Sequence, residues 1–223
     1  MRWYRQNAST MRDLLLRTVP DPHEALSKIM DIKYGYFDYR HDLRKKCTNE
    51  FSLVVNAVLA CAVTGGQNVL FCGTSANELA LLGLTRLRKV TAVDISKVAL
   101  LGIKEVYPQV KVILGSVNKL PFEDATFDVF VSLRAAQSTG VDLDLAVAEI
   151  VRVLKPAGMF VLSIPNGYLI NGKIAKGMFV SGGSKPNAEL PYLLVKEIVS
   201  KLKVLGVSAT TVEIESEIFI IRA

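Results

Sequence analysis

The chain has 223 residues, half of them hydrophobic and 22% charged, and 27 Lys and Arg against 21 Asp and Glu give a net charge of +6. That size can bury a core without staples, and the composition is that of an ordinary globular protein. The opening stretch, MRWYRQNASTMRDLLL, lacks the continuous apolar segment of a secretory signal, and no apolar run approaches membrane-spanning length, so a soluble, cytoplasmic protein with no membrane partner is expected.

Residues 1–66 read as helices, notably ASTMRDLLLRTV, PHEALSKIM and FSLVVNAVLACAV, with an aromatic run carrying Tyr34, Tyr36, Phe37 and Tyr39. They are expected to form a cap or lid on the remainder of the chain. Cys47, Cys61 and Cys72 show neither disulfide nor metal spacing and are read as reduced thiols. His23 and His41 are the only histidines, and no metal site is expected.

From residue 67 to 223 the pattern changes to alternating short β-rich and helical runs. NVLFCG is a strand, ANELALLGL a helix, KVTAVDIS a strand, KVALLGIKEVY a helix and VKVILGS a third strand. DATFDVFVSL follows as the fourth strand, LDLAVAEIVRVL as a helix closed by KPAG, and MFVLSIPN as the fifth strand. The helix YLLVKEIVSKLKVLG and two β runs, SATTVEI and EIFIIRA, complete the chain, the last two as an antiparallel hairpin. The expected fold is α/β: a Rossmann-like, doubly wound, mostly parallel seven-stranded sheet with a C-terminal antiparallel hairpin and an N-terminal helical cap. Asp142 and Asp144 are read as caps of the helix LAVAEIVRVL.

The first strand runs into a turn at Gly73, as nucleotide-binding strands do. A dinucleotide loop of the G-x-G-x-x-G type would need glycine also at Ser75 and Glu78, so the nicotinamide reading fails. The chain instead resembles the class I S-adenosylmethionine-dependent methyltransferases, of the methyltransferase type 11 kind. Four landmarks carry the resemblance: VLFCGTSANE, VTAVDIS, GSVNKLPFEDATFDVFVS and VRVLKPAGMFVLSIPN.

The resemblance implies S-adenosyl-L-methionine as cofactor, bound at the carboxyl ends of the strands by Phe71, Gly73, Thr74, Ser75, Asn77, Asp94, Ile95, Ser116, Val117 and Ser132. Asp94 ends the second strand 21 positions after Gly73, where a carboxylate can accept both ribose hydroxyls, or else cap the helix starting after it. The chain departs from the family at four of these positions. Phe71 stands where an acid is common, Ser75 and Asn77 replace loop glycines, and Ser116, with Asn118 beside it, replaces an Asp that accepts from adenine.

Methyl transfer from a sulfonium needs alignment and exclusion of water more than a base, so no catalytic motif is required. Arg134, Gln137 and His41 are the polar candidates near the acceptor. Arg134 either fixes a carboxylate or phosphate or makes a structural ion pair. No N/D/S-P-P-Y/F motif follows the fourth strand, which argues against adenine N6 or glutamine methylation. The basic clusters Arg40, Arg44, Lys45, Lys46 and Arg86, Arg88, Lys89 leave open a second reading, a catalytically silent methyltransferase-like domain that binds RNA or a protein partner.

Overall fold

The computed structural model describes residues 67–74, 76, 79, 89–138, 140–165, 189–214 and 217–222, together with Asp21, Glu24, Ser27, Lys28 and Asp31. Seven strands appear there: β1 (Asn68–Cys72), β2 (Lys89–Asp94), β3 (Lys111–Leu114), β4 (Phe127–Leu133), β5 (Leu154–Pro165), β6 (Ala209–Ile214) and β7 (Glu217–Arg222). Three helices alternate with them: α1 (Lys97–Val106), α2 (Leu143–Val153) and α3 (Leu190–Val204).

The strands form one sheet in the order β3-β2-β1-β4-β5-β7-β6. The first five are parallel, and β7 runs antiparallel to both β5 and β6. This is the expected sheet with its closing hairpin. The chain goes outward from β1 to β3 and then crosses back to β4, so the order reverses between β1 and β4. In an open α/β sheet the strands' carboxyl ends leave a crevice at that reversal.

Both faces of the sheet are buried, which is why its strands read as nearly continuous apolar runs. Val69, Phe71, Val131, Val161 and Phe219 pack on one face with Ala76, Leu79, Leu100 and Ile103. Leu70, Phe130, Leu162 and Ile220 point the other way, against Val147 and Ile150 of α2 and Ile198 and Leu202 of α3. Asp142 caps α2 as expected, its Oδ1 accepting from the N–H groups of Asp144 and Leu145. Asp144 instead takes the Lys201 ammonium of α3.

Two boundaries differ from expectation. β4 starts at Phe127 and not at Asp124, because Ala125 turns with a φ of 51° and the Asp124 carboxylate accepts from Arg152. β5 starts directly after α2: Leu154 pairs with Phe127 and Met159 with Val129, so the KPAG stretch bows out of a strand already begun. The N-terminal residues that are described match the helix expected there, with helical backbone at Glu24, Ser27, Lys28 and Asp31. The other expected helices of residues 1–66, the aromatic run, His23 and His41 lie outside the described residues, as do the basic clusters apart from Lys89.

Candidate functional site

Each strand at the reversal is extended past its end by one backbone hydrogen bond. Gly73 N–H donates to Val93 O at 2.9 Å, Gly115 N–H to Asp94 O at 3.1 Å, and Arg134 N–H to Ser163 O at 2.9 Å. These bonds tie the ends of β1 and β3 to β2 and the end of β4 to β5, and the pairing of β1 with β4 joins the two groups in one rim. Gly73 has a φ of +70°, and a Cβ built there would lie 2.6 Å from Ala135 Cβ and 3.9 Å from Ser132 Oγ. No other residue type fits both that left-handed backbone and that close approach.

Asp94 is 4% exposed at the end of β2, and its Oδ1 accepts from Ser96 N–H at 2.7 Å. The cap of α1 is Ser96 itself, whose Oγ accepts from Ala99 N–H. Asp94 is therefore not the cap of α1: its carboxylate holds the turn just before the cap, at the end of β2. The same turn is gripped from the N-terminal segment. Ser96 Oγ donates to Asp31 Oδ1 at 2.5 Å, Val98 N–H donates to the same oxygen at 3.1 Å, and Ser27 Oγ donates to Ile95 O at 2.6 Å. Sequence reading missed Ser27 and Asp31, which carry no motif; only their spacing of four along a helix puts them on one face.

After β3, Ser116 Oγ accepts from Asn118 N–H. The Asn118 amide is engaged with Gly140 O and Asp142 N–H, which ties this loop to the start of α2. Val117 and Ser132, assigned from different strands, share the wall of one small apolar cavity with Ala135, Leu143, Val147 and Leu162. Phe71 is wholly buried in the core beneath the rim, and Thr74 is buried on it. Cys72 is a buried free thiol, held protonated by its burial and by the nearby Asp94 charge. Ser75, Asn77 and His41 lie outside the described residues. Among the described residues no group of three His, Cys, Asp or Glu side chains could hold a metal, and no helix is long and apolar enough to cross a membrane.

The loop that carries the LPFED motif is knotted by Arg152. Its guanidinium donates to Glu149, Asp124, Phe122 O and Leu120 O, while Leu120 N–H donates to Glu149 Oε2. The Arg152 hydrogen bond and ion pair hold the Glu149 carboxyl below its ordinary range. The motif is thus a device for fixing the wall beside the cavity.

Beyond β4, Arg134 turns with a φ of 55°, which a side chain seldom adopts. That turn sends its guanidinium to Glu217 at the start of β7, with Nε donating to Oε1 at 2.5 Å and the second nitrogen contacting the same oxygen. The structural ion pair expected as one alternative for Arg134 is present. Gln137 Nε2 donates to Arg134 O at 2.5 Å. Glu217 is 1% exposed, and its burial pushes the carboxyl above its ordinary range against the opposing pull of Arg134 and the neighbouring Ser163 hydroxyl. Glu217 Oε2 and Gln137 Oε1 are buried with no hydrogen-bond partner among the described residues, and the buried Ser163 hydroxyl, beside the Glu217 carboxyl, makes no hydrogen bond of ordinary geometry there. Leaving such an atom unpaired typically costs about 1–3 kcal/mol. Ser163 was invisible to sequence reading because it sits inside an apolar strand run, and Glu217 because it opens one.

Residues 70–162 match the family described as methyltransferase domain. A protein named as a probable S-adenosylmethionine-dependent methyltransferase of Mycolicibacterium smegmatis is 32% identical over 101 residues, which cover 45% of this chain and 39% of that one. The sterol 4-C-methyltransferase of Caenorhabditis elegans is 34% identical over 82 residues, 37% of this chain and 23% of that one. The match thus spans well under half the length of these curated relatives. A SAM-dependent methyltransferase from Aquifex aeolicus shares the fold, with a TM-score of 0.58 at 20% identity over 80% of this chain and 95% of that one. The strand order and the antiparallel β7 are those of the solved methyltransferase structures, and residues 70–162 resemble the methyltransferase domain.

Proposed function

We propose that the protein transfers a methyl group from S-adenosyl-L-methionine to an acceptor that docks beyond the ends of β4 and β5. What supports this is that Gly73, Asp94, Ser116, Val117 and Ser132 stand at or beside the carboxyl ends of four neighbouring strands, β1 to β4, where the strand order reverses. When bound, the donor supplies a sulfonium-activated methyl group. The chain's part is to position and to exclude water. Gly73 lets backbone approach the ligand, Asp94 accepts from the ribose hydroxyls, Ser116 accepts from or donates to the base, and Val117 with the cavity wall gives the base an apolar seat. Thr74, Ser75, Asn77 and Ile95 complete the contact set, while Phe71 shapes the loop from below.

Calorimetric titration with S-adenosylmethionine and S-adenosylhomocysteine tests the reading. Binding tighter than roughly 100 μM is expected, and Asp94→Ala should weaken it by about 1.5–3 kcal/mol, or one to two orders of magnitude. Silence at millimolar ligand would sink it. A second reading is favoured by one observation: Phe71, fully buried, stands where the family commonly has an acid. On that reading the domain is silent and binds RNA through Arg40, Arg44, Lys45 and Lys46. Its sign is RNA retention at about 50 mM salt that falls at least tenfold by 200 mM. We further read residues 1–66 as a lid on a core of residues 67–223, and the reduced thiol Cys72 as that of a cytoplasmic protein.

A further inference from the structure

The polar cluster at the ends of β4, β5 and β7 lies outside the residues assigned above to the methyl donor. Arg134, Gln137, Ser163 and Glu217 come from three strand ends and one turn, and register fixes their meeting: Leu133 pairs with Ser163, and Pro165 with Glu217. A core made for stability alone would be apolar here, as it is one residue away at Ile164 and Ile218. Instead a carboxylate 1% exposed and a glutamine 8% exposed each keep a buried polar atom unpartnered among the described residues, and a serine 1% exposed makes no hydrogen bond of ordinary geometry there. The non-glycine turn at Arg134 is a second irregularity at the same spot, and such strain gathers where a site is held in shape.

Two of the unpartnered atoms are of one chemical kind. Glu217 Oε2 and Gln137 Oε1 only accept hydrogen bonds while the carboxyl is ionised; the Ser163 hydroxyl, beside the Glu217 carboxyl, can donate as well as accept. The Gln137 amide is held in that sense because its Nε2 donates to Arg134 O. Arg134, the one cation in the cluster, is already matched with the Glu217 carboxylate. An anionic acceptor would therefore meet a neutralised guanidinium and the acceptor oxygens of Glu217 and Gln137. A group rich in hydrogen-bond donors would satisfy them.

The geometry points to an acceptor-side subsite for an amino or ammonium group, formed by Glu217, Gln137 and Ser163 and held in place by Arg134. As the acceptor end of methyl transfer it rests on the function proposed above; as an amine-binding site it does not.

The full chain is first titrated with S-adenosylhomocysteine, which reads the donor site alone, and wild type, Glu217→Gln and Gln137→Ala should agree within about threefold. Saturation-transfer NMR then follows methylamine, and separately acetate at matched ionic strength, with and without S-adenosylhomocysteine. The wild type should saturate methylamine and leave acetate untouched. Glu217→Gln should weaken methylamine binding at least tenfold, and Gln137→Ala by a smaller factor that keeps the test readable should the first variant fail to melt cooperatively. Equal saturation of acetate, no saturation of methylamine in the wild type, or methylamine binding unchanged in both variants would overturn the subsite. Silence toward S-adenosylhomocysteine with methylamine binding intact would fail the donor reading and uphold the subsite.

Discussion

Arg152 and Arg134 have side chains of equal exposure, 30%, and each pairs with a carboxylate from beyond its own strand end or helix, yet their surroundings are opposite in kind. Around Arg152 the donors meet two carboxylates and two carbonyls, and both carboxylates keep contact with water, Asp124 at 77% exposed and Glu149 at 17%. Around Arg134 the partner is a carboxylate cut off from water, with one oxygen unengaged among the described residues. How much of the partner is buried, and not how much of the arginine shows, decides whether an ion pair steadies the fold or strains it.

The two regions should therefore respond to pH with opposite sign. The Glu149 carboxyl is held below its ordinary value of 4.5, so its contribution is present above pH 4.5 and fades as the pH falls through the lowered value. The Glu217 carboxyl is held above 4.5 by burial. Its protonated form favours the fold, so that contribution is complete below pH 4.5 and is lost as the pH rises through the raised value.

The strongest way to break the comparison is Arg134→Ala, which strands the Glu217 charge. A loss of about 2–3 kcal/mol is expected by urea denaturation at pH 7.5, shrinking at pH 5 as Glu217 takes up a proton. A loss independent of pH would mean that the pair behaves like a surface bridge. Arg152→Ala should remove about 1–2 kcal/mol at pH 7.5, a loss that fades only below pH 4.5, as the denaturation midpoint across a pH series would report. Asp142→Ala, which uncaps the helix bearing Arg152, should lower stability by about 1 kcal/mol in the same assay without changing its pH dependence near neutrality. The smallest change is expected from Glu217→Gln: within about 1 kcal/mol of the parent at pH 7.5, with the decline in stability above pH 4.5 flattened.

The same contrast marks what could be read in the sequence. The sheet, its order of elements and the closing hairpin were legible because burial on both faces writes strands as apolar runs and helices as 3.6-residue patterns. The rim was legible where a residue type is forced, as at Gly73, or stands at a strand end, as at Asp94 and Ser132. The Arg152 knot was visible only as motif LPFED and helix EIVRVL, since nothing in either string says that they touch. Glu217 was hidden for a different reason. It opens β7 opposite the last residue of β6, where a glutamate ordinarily faces water, and only the antiparallel register with β5 drives it inward.

The position of β7 has a consequence for how the protein is made. It is later in the chain than β6, yet it stands between β5 and β6 in the sheet. While the ribosome is still extending the chain through β6, β5 has no partner on that side, and Val161, Leu162 and Ile164 border a bare edge open to mispairing. The sheet closes only when the last strand threads into the gap, and Glu217 leads that strand, so the dehydration of its carboxyl falls at the end of assembly. A nascent chain released or cut short of that point would be expected to aggregate through the β5 edge.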